Sequence, residues 1–197
     1  MKLGNVHILA AALLAGGLGV LASLWLGGSP LLRTDTGQQA LQAAMDAAAP
    51  EPPPGVKPAK PGEPVPPLEL ADLQGRIHPL PGAYAGRPLL INVWASWCGP
   101  CIEEMPELDR FAAAQGANGT QVVGIALDNA ADVRAFLQRT PVAYPIVLDI
   151  AGPRDSSVQL GNPKGVLPYS VLIDADGRLR KQKVGPFASG EIDHWAR

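Results

Sequence analysis

The sequence predicts an α/β domain: a central mixed sheet with helices on both faces. Three observations carry that expectation. Two near-continuous apolar runs rich in β-branched residues, LLINVWA (89–95) and QVVGIAL (121–127), read as strands buried on both faces. Stretches of helical periodicity follow each of them. A later segment, SVLIDADGRLRKQKVG (170–185), alternates around Asp176-Gly177 and reads as a hairpin.

The chain has 197 residues, enough for one ordinary domain with additions. A formal net charge of −2 offers no broad basic surface, which argues against nucleic acid as a partner. Two cysteines and three histidines are too few for a multi-metal site.

Residues 1–29 read as a transmembrane signal-anchor. Ile8 to Leu26 is uncharged and spans about 28 Å as a helix, enough to cross a hydrocarbon core. Lys2 precedes it and Trp25 lies near its far end, which favours the N-terminus inside and the domain outside. A cleaved signal peptide is the alternative, although the run is long and lacks a clear A-x-A site.

Residues 30–67 read as an Ala/Pro-rich linker. Gln38 to Ala48 has the pattern of a short amphipathic helix. In Pro50–Pro67 nine of 18 residues are proline, which predicts an extended, semi-rigid spacer.

The folded domain is expected over 68–197. PLELADLQGRIHPL predicts two short strands about Gln74-Gly75. Cys98 to Gln115 reads as a helix, with Pro100 in its first turn and Pro106 expected to kink it. Leu108, Phe111 and Ala112 share one face of it. Asn129 and Asp128 offer a cap for a helix over 130–139, with Val133, Phe136 and Leu137 inward. YPIVLD (144–149) reads as a strand and SVQLG (157–161) as a short helix. In the hairpin, Leu179 should point inward and the charges outward. Ser189 is expected to cap a last helix.

The only cysteines sit in NVWASWCGPCIEE, two residues apart. A structural zinc site needs four ligands, and a copper carrier a third ligand beside the pair; neither set is evident. A static staple closes almost no loop and gains little. A redox couple explains the surroundings. Cys98 falls where a strand hands over to a helix, and unpaired N–H groups and the helix dipole there favour the thiolate, which is the attacking species in disulfide exchange. Cys101, one turn in and more shielded, is suited to resolve the mixed disulfide. Gly99 and Pro100 form the tight turn between them.

Trp97 to Cys101, WCGPC, is identical to the thioredoxin active-site motif. LLINVWASWCGPCIEEMPEL, and GVLPYSVLIDADGRLRKQKVG some 65 residues later, resemble the TlpA/ResA-like membrane-anchored thiol-disulfide oxidoreductases of the thioredoxin-like superfamily. The resemblance runs from about Leu68 to Arg197. It implies a thioredoxin-like fold, a Cys98–Cys101 redox-active disulfide and no bound cofactor. It places Asn92 where cytosolic thioredoxins carry a buried Asp, and Glu104 where an acidic residue tunes the cysteines as proton donor or acceptor for Cys101. It makes Pro168 a cis-proline facing the pair, with Leu167 offering backbone to an extended substrate peptide. Trp97, Gly99 and Pro100 complete the expected substrate-binding set, and Trp94 is assigned to the core. His78 and Tyr169 are read as ordinary structural or surface residues.

The expected activity is therefore thiol–disulfide exchange on exported proteins, as a reductant, from the periplasmic face of a bacterial inner membrane. A membrane electron donor of the DsbD or CcdA type is the implied partner. A disulfide oxidase or isomerase, a copper-binding module of the same fold and a peroxiredoxin-like peroxidase are the alternatives; the T-x-x-C context of the last is absent around Cys98.

Overall fold

The computed structural model describes residues 34–116 and 118–197. The proposed anchor, residues 1–29, lies outside the described residues. Among those described, no helix is long and apolar enough to cross a membrane.

Helix α1, Asp35–Ala47, forms where the amphipathic pattern predicts one. Strands β1 (Leu68–Asp72) and β2 (Ile77–Leu80) make the first hairpin. The Asp72 carboxylate closes its turn, accepting from Gln74 N, Arg76 N and Arg76 Nε, with His78 Nε2 3.0 Å away. The His78 bond is the main reason the Asp72 carboxyl is held well below the usual range. His78 is thus a structural residue, as expected. Strand β3 (Leu89–Trp94) is buried throughout. Helix α2 (Gly99–Ala114) follows and continues unbroken through Pro106. Strand β4 (Gln121–Leu127) leads to α3 (Ala130–Arg139), capped by Asn129 through Asp132 N. Strand β5 (Ile146–Asp149) begins only after Pro145, whose missing N–H cannot join a ladder. A one-turn helix α4 (Ser156–Gln159) is capped by Asp155. Strands β6 (Tyr169–Ile173) and β7 (Leu179–Val184) form the last hairpin, and α5 spans Glu191–Trp195.

The seven strands lie in the order β2-β1-β5-β4-β3-β6-β7. The central pairs β3–β4 and β4–β5 are parallel, and the flanking pairs are antiparallel. Both parallel crossovers run the same way along the sheet, so the right-handed rule puts α2 and α3 on one face. Helix α5 joins them there. Their core includes Leu90, Trp94, Met105, Leu108, Phe136 and Trp195. The alternate residues of β3, Leu89, Ile91 and Val93, serve the other face with Val123, Tyr169 and Leu160. Helices therefore cover the two faces unequally. The second face includes the single turn of α4, which leads into Leu160, the short 3-10 turn Gly82–Tyr84, and segments without helix.

One of those segments departs from the expected spacer. Ala59 and Val65 are buried in the second core. Ala59 N donates to Gln159 O, Gly62 N to Leu179 O, Val65 N to Gly177 O, and Leu179 N to Glu63 O. The non-proline residues between the prolines supply the donors, so the second half of the proline-rich stretch docks as a strap. The packed body begins about nine residues before the expected Leu68 start.

Two further expectations fail at the C-terminal end. Gly190, with φ 74°, is the N-cap of α5 in place of Ser189. The left-handed angle favours glycine at that junction. The outward placement of charges on β7 holds for Arg180 but not for Lys183, which is buried and paired with Glu191. The cause is a register shift: Ile173 opposes Leu179, but Leu172 opposes Lys181 and Ser170 opposes Lys183. Arg180 is the extra residue, and one slip exchanges the two faces of a strand. Leu179 stays with the second core, while Lys183 turns to the helix face.

If the strap is part of the domain, a chain starting at Leu68 should be less stable than one starting at Pro50. The four lost backbone bonds alone correspond to about 2–6 kcal/mol. Urea denaturation of the two chains checks this; equal midpoints would show the strap to be dispensable.

Candidate active site

Strand β3 ends at Trp94, and a short turn delivers Cys98 to the N-cap of α2. Cys98 N donates to Ala95 O, which fixes that turn, and Ile102 N donates to Cys98 O to open the helix. Cys98 and Cys101 are joined in a disulfide, with Cα atoms 5.3 Å apart. Cys101 has no exposed surface, and Cys98 is nearly as enclosed. Around them the turn is open: Gly99 and Pro100 are exposed, and Trp97 is 70% exposed. Trp94 is wholly buried and packs on Phe136 at 5.2 Å between ring centroids. The two tryptophans thus divide as expected, one at the rim and one in the core.

The Leu167–Pro168 peptide is cis. Pro168 is buried ahead of β6, and half-buried Leu167 packs against the core that contains Cys98. A cavity of about 270 Å³ opens beside the turn, with Trp97, Leu167, Leu127, Val158 and Lys164 in its wall. A larger cavity, about 710 Å³, lies near Phe111, Arg180 and His194 and contains neither cysteine.

Glu104 lies one helical turn beyond Cys101 and is only 1% exposed, whereas Glu103 is exposed. Its Oε1 accepts from Asn92 Nδ2 at 2.8 Å, and its Oε2 accepts from Phe187 N at 2.8 Å. Asn92 shares the face of Leu90 and Trp94 on β3, which aims it at α2. Ser170 opposes it across the β3–β6 ladder, and Asn92 Nδ2 also donates to Ser170 Oγ at 3.0 Å. Burial pushes the Glu104 carboxyl up to about 7, against the pull of the Phe187 N–H and the Asn92 amide. A carboxyl with its proton balanced near neutrality, one turn from a disulfide, can accept or deliver a proton as a thiol forms.

The fold therefore gathers Cys98, Cys101, Glu104 and Asn92 into one buried cluster, with Trp97, Gly99 and Pro100 on its exposed rim. Three participants escaped the sequence reading. Phe187 N–H is a backbone donor and leaves no mark in side-chain pattern. Lys183 was assigned outward because the bulge is invisible to simple alternation. Glu191 stands near the start of the last helix with nothing in the sequence to mark a partner, yet it binds Lys183. Tyr169 proves to be core, donating to Leu160 O and accepting from Gln182 Nε2.

Glu104 should impose a pH dependence on stability. Its folded-state affinity for the proton is raised from 4.5 to about 7, so its stabilising effect is complete below pH 4.5 and lost as pH rises through 7. The loss is about 3 kcal/mol. Glu104→Gln lacks this titration. Relative to wild type, the oxidised variant should gain up to about 3 kcal/mol between pH 4 and pH 8, read by urea unfolding at each pH. A difference that does not change with pH would contradict the buried, protonatable carboxyl.

Comparison with known proteins agrees with this geometry. The Redoxin family model matches residues 60–194, and so includes most of the strap. The thiol-disulfide oxidoreductase ResA of Geobacillus thermodenitrificans is 30% identical over 132 residues, 66% of this chain and 73% of that protein. The sporulation thiol-disulfide oxidoreductase A of Bacillus subtilis is 27% identical over 114 residues, 56% of this chain and 67% of that protein. Among solved structures, a thioredoxin-related protein from Neisseria meningitidis serogroup B superposes with a TM-score of 0.57 at 32% identity, covering 64% of this chain and 94% of that one. The chain belongs to the Redoxin family, as a ResA-like thiol-disulfide oxidoreductase of the thioredoxin superfamily.

Proposed function

We propose that the protein reduces disulfides in exported proteins from the periplasmic face of a bacterial inner membrane, held there by residues 8–26. The observation that carries the reading is the disulfide at the mouth of α2, with an exposed apolar rim outside it and a protonatable carboxyl one turn inside.

In the reduced state the Cys98 thiolate attacks one sulfur of a substrate disulfide. A Cys98–substrate disulfide forms, and the other substrate sulfur leaves as a thiolate that takes up a proton. Cys101 then gives its proton to Glu104 and attacks Cys98 Sγ. The Cys98–Cys101 disulfide closes as the Cys98–substrate bond breaks, and the second substrate sulfur leaves as a thiolate that takes up a proton. The substrate gains two electrons, and the Cys pair loses two. A membrane donor of the DsbD or CcdA type restores the dithiol. Trp97, Gly99 and Pro100 form the contact rim, and the Leu167 backbone at the cis-Pro168 turn pairs with the extended substrate segment. The neighbouring 270 Å³ cavity, walled by Trp97 and Leu167, supplies an apolar seat for a substrate side chain.

The same chemistry run backwards describes an oxidase, and repeated exchange describes an isomerase, so direction is a matter of potential. Among the described residues no group of three or more His, Cys, Asp or Glu side chains is placed to hold a metal ion.

In an exchange assay with a disulfide-bonded protein substrate, Cys98→Ala should abolish turnover. Cys101→Ala should attack normally but stop at the mixed disulfide, visible as a covalent adduct on a non-reducing gel. Full turnover by Cys98→Ala, or no adduct with Cys101→Ala, would overturn the assigned order of the two thiols.

A further inference from the structure

The N–H that holds Glu104 Oε2 belongs to Phe187, in the irregular segment between β7 and α5. That segment has its own fixings. Glu191 Oε2 accepts from Ala188 N at 2.8 Å, and Glu191 Oε1 accepts from Lys183 Nζ at 2.7 Å. Glu107 Oε1 accepts from Gly190 N at 2.6 Å. The Lys183 ammonium also stands 5.3 Å from the centroid of the Phe187 ring, within cation–π reach. Phe187 in turn packs edge-on against Trp195 at 5.1 Å.

Lys183 is 2% exposed, and among the described residues it is the one buried Lys or Arg. Burying an ammonium is costly unless it is paired and bonded. The bulge at Arg180 nevertheless turns it inward, into register with Ser170, which is itself in register with Asn92. Asn92, Ser170 and Lys183 therefore form one row across β3, β6 and β7, on the face where Glu104 sits.

We propose that Lys183 and Glu191 are a positioning pair for Glu104: they hold the Phe187 N–H against its carboxyl and place one charge of each sign beside it. The two charges act in opposite senses. Lys183 favours the ionised carboxyl, and Glu191 favours the protonated one. The other titratable groups around Glu104 are Cys98, Cys101 and Glu107 on its own helix and Tyr144 ahead of β5. In the oxidised protein the two cysteines are tied in the disulfide. Glu107 is paired with Arg110. Tyr144 is kept neutral, because burial and then the Glu104 charge push its hydroxyl far up. Lys183 and Glu191 are thus the pair whose removal should tune Glu104.

The inference rests on Glu104 being the proton partner of Cys101 only for its effect on exchange, so the carboxyl is measured directly. In oxidised full-length protein labelled with 13C at the glutamate carboxyl, the resonance lost in Glu104→Gln is followed with pH. Lys183→Met should raise its midpoint, and Glu191→Gln should lower it, each by about one unit. Lys183→Arg, which keeps the charge, should stay near wild type. A role confined to packing would move the midpoints together or not at all, and either result overturns the proposal. Circular dichroism checks folding; if Lys183→Met does not fold, Glu191→Gln and Lys183→Arg still decide, since the first must lower the midpoint and the second must leave it. The pH profile of mixed-disulfide release by Cys101 is the second readout. Carboxyl midpoints that split as described while the release profile stays fixed would leave the pair standing and reject Glu104 as proton partner.

Discussion

A carboxyl group in an apolar core must find donors or go neutral, and Glu104 meets both conditions in part. Its two oxygens each accept one hydrogen bond, from a strand side chain and from a loop backbone. Those two bonds explain several otherwise odd features of the chain. They require an amide on a strand that is otherwise all apolar, hence Asn92. They require an irregular stretch after β7 to present an N–H inward, hence the Glu191 anchor at Ala188 and the Glu107 contact at Gly190. They place a polar row, Asn92, Ser170 and Lys183, across β3, β6 and β7 on the face where Glu104 sits. A carboxylate in place of Asn92 would set two acids against each other; the amide instead donates and leaves Glu104 as the acid beside the thiols.

The rest of the architecture serves access. Parallel strands β3 and β4 end on the same side, where open α/β sheets place their sites. The switch from strand to helix at Cys98 brings the disulfide to that edge, with its inner sulfur wholly enclosed and its rim exposed. The same turn exposes Trp97 and aligns it with Leu167 on the wall of one cavity. In the proposed cycle this burial would separate the two halves of the chemistry: the substrate would meet the exposed rim at Trp97, while the proton would pass between Cys101 and Glu104, both enclosed.

Much of this was legible in the residues. The runs 89–95 and 121–127 could hardly be anything but buried strands, and the Asn129 cap announced its helix to the residue. The family resemblance marked Asn92 as a buried polar position on β3, and the three-residue step from Cys101 together with that resemblance marked Glu104; the face that Asn92 shares with Leu90 and Trp94 came from the structure. The failures have physical causes. Proline content in 50–67 reports a stiff, extended backbone, but extension is also what a docked strap needs; the donors are Ala59, Gly62 and Val65, which composition treats as spacers. Alternation along 179–184 is upset by one bulged residue, Arg180, and that single slip hid Lys183. Backbone donors such as Phe187 N–H carry no side-chain signature at all. The Ser189 cap lost to Gly190 because the chain enters α5 through a left-handed angle.

The account's central claim is that Cys98 and Cys101 form a reversible couple poised to give electrons away. The midpoint potential of the pair tests it most directly, from equilibration of the protein in graded thiol–disulfide buffers with alkylation of the free thiols. A value near about −270 mV is predicted, in the range of thioredoxin-like reducing couples. A value near about −120 mV, where strong oxidants lie, would reverse the direction of electron flow and contradict the account.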